Sequence, residues 1–114
     1  MLALSAAGLV AMSGCGGSAP AARLTGSVGP GFIIVLDDSA GKPVRTLSAG
    51  RYTITVHDRS AFLNFHLFGP GVNEATSILG TGTRRWSVTL KPGVYQFQCD
   101  AHAALVHGSF EVTG

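Results

Sequence analysis

Short runs of alternating apolar and polar residues constrain the fold of this chain more than any other feature. Residues 51–57, RYTITVH, alternate strictly, residues 86–90 do the same, and within residues 94–99 the alternation begins at Tyr95. A period of two residues is typical of a β-strand with one buried face. No segment shows the 3.6-residue period of an amphipathic helix. The alternation therefore predicts a chain made of strands.

Turn signals separate these runs at regular intervals. The sequence DDSAGKP follows the apolar run FIIVL, GPG follows residues 62–68, and KPG precedes residue 94. The 114 residues include 16 glycines, and only 12% of them are charged. About seven short strands joined by such turns predict an all-β fold, an antiparallel Greek-key β-sandwich or barrel.

The N-terminal segment is typical of an exported protein. The first 14 residues carry no charge, are too short to span a bilayer, and end in small residues before Cys15. The sequence MSGC resembles the bacterial lipobox, in which the cysteine becomes lipidated and N-terminal after cleavage. We therefore predict an export and lipoprotein signal over residues 1–14, a flexible linker over 15–23 and one domain over 24–114. No Lys or Arg precedes Arg23, so a plain secretory signal or a buried apolar segment is the alternative.

Charge and motif content exclude several classes of function. The formal net charge is +2, and the charges are scattered along the sequence, which favours neither nucleic acid nor an anionic membrane surface as a partner. The sequence contains no serine–histidine–acid arrangement, no pair of carboxylates in a plausible cleft and no phosphate-binding loop. Cys99 and His102 could mimic a nucleophile pair, but nothing indicates an oxyanion hole. We therefore predict a protein that is not an enzyme.

The segment YQFQCDAHAALVHGSFEV combines residue types that bind soft and borderline metal ions. Strand alternation places Cys99 on the same face as Tyr95 and Phe97, so its thiol is expected to point into the core. His102 follows three residues later, in the turn, and His107 five residues after that. Cysteine and histidine together suit copper or zinc, and a His₂Cys set with a weak axial ligand is typical of electron-transfer copper.

Several segments together resemble the cupredoxins, the plastocyanin/azurin-like blue-copper proteins that bacteria export. The segments are YTITVHDRS, NFHLFGPGVN, GTGT, WSVTLKPGVYQFQCDAH and HGSFEV, and they extend over nearly the whole folded region. The resemblance implies a bound copper ion and a role in electron transfer, with a redox partner protein or a copper donor as the partner. It also assigns two copper ligands directly, Cys99 and His102.

Two usual ligand positions are substituted in this sequence. The early histidine of the family corresponds to Leu63, and the axial methionine, counted back from Gly108, corresponds to Val106. His107 lies at the plastocyanin-like His-to-Met distance from His102, so it is the predicted third ligand on that count. The count from Gly108 instead leaves His107 beside the site and pointing away.

The two other histidines are expected to lie away from the metal. His66 lies three residues after Leu63, so it should face the opposite side of a regular strand. His57 stands at a strand end and is expected to be solvated.

Three functions are consistent with these residues. The first is a copper protein in electron transfer, exported and held by a lipid on the periplasmic or extracellular face of a membrane. The second is a Cu(I) store or chaperone that binds through Cys99 with His102 or His107, because Cu(I) tolerates two or three soft ligands. The third is a metal-free cupredoxin-like binding module.

Overall fold

Nine β-strands and one short 3₁₀ helix make up residues 21–114, the part of the chain that this computed structural model describes. The strands are β1 (Ala22–Val28), β2 (Ile34–Asp37), β3 (Thr46–Ser48), β4 (Gly50–Asp58), β5 (His66–Gly69), β6 (Val72–Ala75), β7 (Gly82–Leu90), β8 (Gly93–Gln98) and β9 (His107–Thr113). The 3₁₀ helix, Asp100–His102, lies between β8 and β9. No helix within residues 21–114 is long and apolar enough to cross a membrane.

The strands form two sheets that pack face to face. The first sheet has the order β2-β1-β4-β7, and the second has the order β3-β9-β8-β5-β6. The predicted all-β sandwich is therefore confirmed. Two neighbouring pairs, β1–β4 and β3–β9, are parallel, and four of the nine strands contain only three or four residues. Alternation alone reports neither strand direction nor such short strands, which is why the sequence indicated about seven antiparallel strands.

The side chains between the sheets form a single core. Alternate residues of β4 and β8 enter it as the sequence predicts, and aromatic rings fill its centre. The rings of Phe65 and Phe97 stack with their centroids 5.6 Å apart, and those of Tyr95 and Phe110 stack at 5.3 Å. The ring of Phe97 also lies directly against the backbone of Gly108, where any side chain would collide with it. This contact explains why a glycine stands near the start of the last strand.

The two ends of the sandwich differ in what they contain. We call one the Cys99 end: β1, β4 and β8 all finish there, and Cys99 follows β8. The opposite end, which we call the N-terminal end, contains the starts of β1 and β4 and the turn at residues 91–93. The predicted signal segment and Cys15 lie outside the described residues.

Candidate metal centre

Cys99 lies at the end of β8 with its side chain in the core, as strand alternation predicts. The residue is 0% exposed, and its thiol is free within residues 21–114. Its backbone N–H donates a hydrogen bond to the carbonyl of Val106, with an N···O distance of 2.9 Å. The thiol is therefore held in an apolar environment from which water is excluded.

His102 lies on the same turn as Cys99. Its N–H donates to the carbonyl of Cys99 at 3.1 Å, and its own carbonyl accepts from the N–H groups of Leu105 and Val106, both at 2.9 Å. The imidazole is half-buried, and its centroid lies 4.9 Å from that of the Phe32 ring in the β1–β2 loop. The turn thus closes on itself and carries the half-buried His102 three residues after the buried thiol of Cys99.

His107 points away from this turn's interior. It is exposed, and its ring Nδ1 lies 2.8 Å from the carbonyl oxygen of Ala103, to which it donates. Val106, by contrast, is 1% exposed and belongs to the core. The register counted from Gly108 therefore describes the backbone, with valine inward and histidine outward. Within residues 21–114 no three His, Cys, Asp or Glu side chains are close enough to hold one metal ion.

Leu63 occupies the position where the resemblance places a histidine. It is 2% exposed and belongs to the same core cluster as Cys99. Its neighbour Asn64 is bonded twice to Asp100: the Asp100 N–H donates to Asn64 Oδ1 at 2.9 Å, and Asn64 Nδ2 donates to Asp100 Oδ2 at 3.0 Å. These bonds hold residues 63–64 alongside residues 99–100. A methyl-bearing side chain thus stands where a ligand would be.

A polar cluster of four residues supports this arrangement: Asp58, Asn64 and Thr76 are buried, and Asp100 is exposed. Asn64 Nδ2 also donates to the Thr76 carbonyl at 3.2 Å, and the Thr76 hydroxyl donates to Asp58 Oδ2 at 2.9 Å. The same hydroxyl accepts from the Phe65 N–H at 2.9 Å. Every buried side-chain nitrogen and oxygen in residues 21–114 has such a partner. Sequence reasoning missed this cluster because its members come from four separate segments, and no local motif links them.

His66 is engaged on the outer face of the second sheet, as strand alternation predicts. Its Nδ1 lies 2.8 Å from Asp100 Oδ1, and its Nε2 lies 2.6 Å from Asn73 Oδ1. An imidazole with an acceptor at each nitrogen satisfies both only as the protonated imidazolium. His66 is therefore a partner of Asp100, outside the Cys99 turn.

The pKa values of this pair follow from these contacts. Burial alone would lower the pKa of His66, but the bonds to Asp100 and Asn73 and the charge of Asp100 together raise it. Burial alone would likewise raise the pKa of Asp100, but its bonds with His66, Asn64 and Gln98 and the charge of His66 outweigh burial and lower it. Both groups are thus stabilised in their charged forms.

His57 lies on β4, on the outer face of the first sheet. Its ring is half-buried, and its Nδ1 lies 3.2 Å from the hydroxyl of Thr83 on β7.

The donor atoms available beside Cys99 limit the kind of copper ion that this turn could bind. Cys99 and His102 supply one soft and one borderline donor on one turn, and the side chains of Leu63 and Val106, at the positions where the resemblance places the other two ligands, offer no donor atom. That set suits Cu(I), which accepts low coordination by soft ligands. It does not provide the His₂Cys set with a weak axial ligand that blue copper requires.

Comparison with solved structures identifies the architecture. A structure of reduced rusticyanin superposes with a TM-score of 0.63, at 18% sequence identity, over 84% of this chain and 81% of that one. The chain has a cupredoxin-like fold. A second structure, of the copper protein rusticyanin, gives a TM-score of 0.63 at 18% identity, over 84% of this chain and 80% of the other.

A third solved structure agrees with these two. Rusticyanin from Thiobacillus ferrooxidans superposes with a TM-score of 0.60 at 19% identity, over 84% of this chain and 79% of the other. No protein-family model matches the chain, and no curated protein sequence matches it either. The predicted resemblance to cupredoxins is therefore confirmed at the level of the fold.

Proposed function

We propose that this chain is an exported protein of cupredoxin-like fold that binds Cu(I) through Cys99 and His102. The observation that carries the proposal is the composition of the turn: a fully buried thiol and a surface histidine share it, while Leu63 and Val106 fill the other ligand positions. The likeness of the fold to the copper protein rusticyanin supports copper as the metal.

The surroundings of Cys99 favour a store or carrier of Cu(I). Copper, when bound, would bring redox activity and an affinity for thiolates. The chain itself supplies a dry, apolar site for the thiolate, and metal binding deprotonates a coordinating thiol. His102 stands at the surface, where a copper donor or acceptor protein can approach. Cu(I) tolerates the loss of the third and fourth ligands better than a copper ion that must cycle between two oxidation states.

Electron transfer is the second candidate, and a specific surface favours it. Several large apolar side chains near the Cys99 end are exposed, among them Phe32, Ile33, Phe62 and Leu105. Phe32 contacts the ring of His102 directly. A redox partner protein would dock on such an apolar surface beside the metal. The likeness to reduced rusticyanin also supports this candidate.

Export and lipid anchoring complete the proposal. The uncharged residues 1–14 and the lipobox-like MSGC sequence support lipidation of Cys15 on the outer side of the cytoplasmic membrane. The chain enters the fold at the N-terminal end, opposite the Cys99 end. An anchor there leaves the Cys99 end accessible to a partner. Mass spectrometry of the native protein should find a lipidated Cys15 peptide, and an unmodified chain in the soluble cytoplasm would contradict the anchor.

A Cu(I) titration against a coloured chelator tests the copper proposal. The parent protein should take up a single Cu(I) ion. Cys99→Ser should abolish tight binding, and His102→Ala should weaken it by more than the roughly 10- to 100-fold that loss of an outer-shell partner costs. His107→Ala and His66→Ala are matched controls, because their rings are bonded elsewhere, and both should bind like the parent. A parent that takes up no copper would instead be the metal-free module.

A further inference from the structure

Three arginines lie on the outer face of the first sheet. Arg23 stands on β1, Arg51 on β4 and Arg85 on β7, and all three are exposed. Arg23 pairs with Thr53, and Arg85 pairs with Thr55. Arg51, Thr53 and Thr55 are alternate residues of one strand, so all these side chains point to the same side. Basic residues that are scattered along the sequence are thus gathered on one face by the fold.

The charges on this face are not neutralised by the protein. Within residues 21–114 the one ion pair shorter than 4 Å joins His66 and Asp100, which belong to the other sheet and its turn. A groove between Arg23 and Arg85 is lined by these two arginines and by Ala21, Thr53 and Thr55. Guanidinium groups bind phosphate in a bidentate manner, and hydroxyl groups donate to the remaining oxygens. The groove therefore has the chemistry of a site for phosphate esters.

One acidic residue borders the face without occupying its centre. Asp37 lies on the edge strand β2, opposite Thr25 of β1. The strand next to β2 is β1, and two further strand spacings, or about 10 Å, separate β1 from β7, where Arg85 lies. The positive charge is thus concentrated on the side of β1, β4 and β7.

A lipid anchor on Cys15 would keep this face close to the phosphate headgroups of the membrane. Cys15 precedes Ala21 by only six residues, which span at most about 20 Å when fully extended. Arg23 is the second residue of β1 and so lies at the point where the tether joins the fold. A lipid on Cys15 would therefore hold the arginine face within reach of the bilayer's headgroups.

We propose that the outer face of the first sheet docks on the phosphate headgroups of an anionic phospholipid bilayer, through Arg23, Arg51 and Arg85. The inference rests on the proposed lipid anchor, which supplies proximity, whereas the arginines supply orientation. With this face on the bilayer, the sandwich lies on its side and the Cys99 end points along the membrane. A partner protein can then reach Phe32 and His102 without leaving the membrane surface.

Vesicle co-sedimentation of the full-length chain with Cys15→Ser tests docking separately from lipidation. Vesicles of phosphatidylglycerol are compared with vesicles of phosphatidylcholine, and binding to the neutral vesicles reports the apolar N-terminal segment alone. The excess binding to the anionic vesicles should be strong at low salt and should fall as salt rises. A basic residue near an anionic surface contributes about fivefold in affinity. Replacing Arg23, Arg51 and Arg85 together by glutamine should therefore reduce the excess by roughly 100-fold.

A matched variant removes the same charge elsewhere. Arg45, Arg59 and Arg84 are exposed but lie off this face, and replacing them by glutamine also takes the formal net charge from +2 to −1. This variant should keep the excess binding within a few-fold of the parent. Each single face variant should lose about fivefold, which gives a readout even if the triple variant folds poorly. Equal losses in both triple variants, or no anionic excess in the parent, would overturn the proposal.

The outcomes for anchor and face are distinguishable. A native chain without lipid at Cys15 would contradict the anchor, whatever the vesicles show. An anchored chain whose anionic binding ignores Arg23, Arg51 and Arg85 would contradict the docking face alone.

Discussion

Replacing Asn64 by alanine should show how strongly the polar cluster holds the loop beside Cys99. The Asn64 side chain is 2% exposed and makes three hydrogen bonds, one to the Thr76 carbonyl and two to Asp100. The bonds with the Thr76 carbonyl and the Asp100 N–H are neutral and contribute about 1 kcal/mol each, and the bond to the Asp100 carboxylate contributes about 2 kcal/mol. We therefore expect Asn64→Ala to lower the free energy of unfolding by about 4 kcal/mol.

Urea denaturation followed by tryptophan fluorescence measures this change. The loss corresponds to a fall in Tm of roughly 16–32 °C, at 4–8 °C per kcal/mol for a small domain. Asn73→Ala is the matched control, because Asn73 is exposed and its side chain bonds only to the ring of His66. Asn73→Ala should lower the free energy of unfolding by about 1 kcal/mol or less. If Asn64→Ala and Asn73→Ala cost the same, the cluster does not hold the loop as described.

Two further variants probe the ion pair and the missing ligands. His66→Gln should lower the free energy of unfolding by up to about 1 kcal/mol, with the largest loss near pH 5–6. Because the pKa of His66 is raised, its contribution to the free energy of unfolding is full below about pH 6.5 and is lost as pH rises. Because the pKa of Asp100 is lowered, its contribution is full above about pH 4 and is lost as pH falls. Urea midpoints at pH 5.5 and 8.5 measure it, and an equal cost at both would contradict the pair. Leu63→His with Val106→Met should rebuild a His₂Cys site with a thioether, so Cu(II) should give an intense thiolate absorption that the parent lacks. A colourless double variant would refute the assignment of Leu63.

The sequence predicted the parts of the site that lie on one strand and one turn. Alternation along β8 placed Cys99 in the core, and alternation along β5 leaves His66 on the outer face, opposite the buried Leu67. The counts from His102 and from Gly108 predict different directions for the His107 side chain. The sequence does not distinguish them, because a loop of several residues can close in more than one register. In the structure the Val106 side chain is buried, and the exposed His107 ring is bonded to the Ala103 carbonyl, as the count from Gly108 predicts.

Long-range pairing explains what the sequence did not reveal. The sequence around each member of the polar cluster is that of an ordinary loop or strand end. Only the packing of the two sheets brings Asp58, Asn64, Thr76 and Asp100 together. The same is true of the arginine face, whose members lie on three strands that neighbour one another in the first sheet. Both features depend on strand order, which the local pattern does not encode.

X-ray absorption at the copper edge of the Cu(I)-loaded protein tests the central proposal most directly. A site made of Cys99 and His102 should give a low-coordinate Cu(I) spectrum with one sulfur and one nitrogen neighbour, and Cys99→Ser should retain no tightly bound copper to give such a spectrum. A copper ion with two histidine nitrogens and one sulfur, in a protein that turns intensely coloured on oxidation, would contradict the proposal and establish a blue-copper centre.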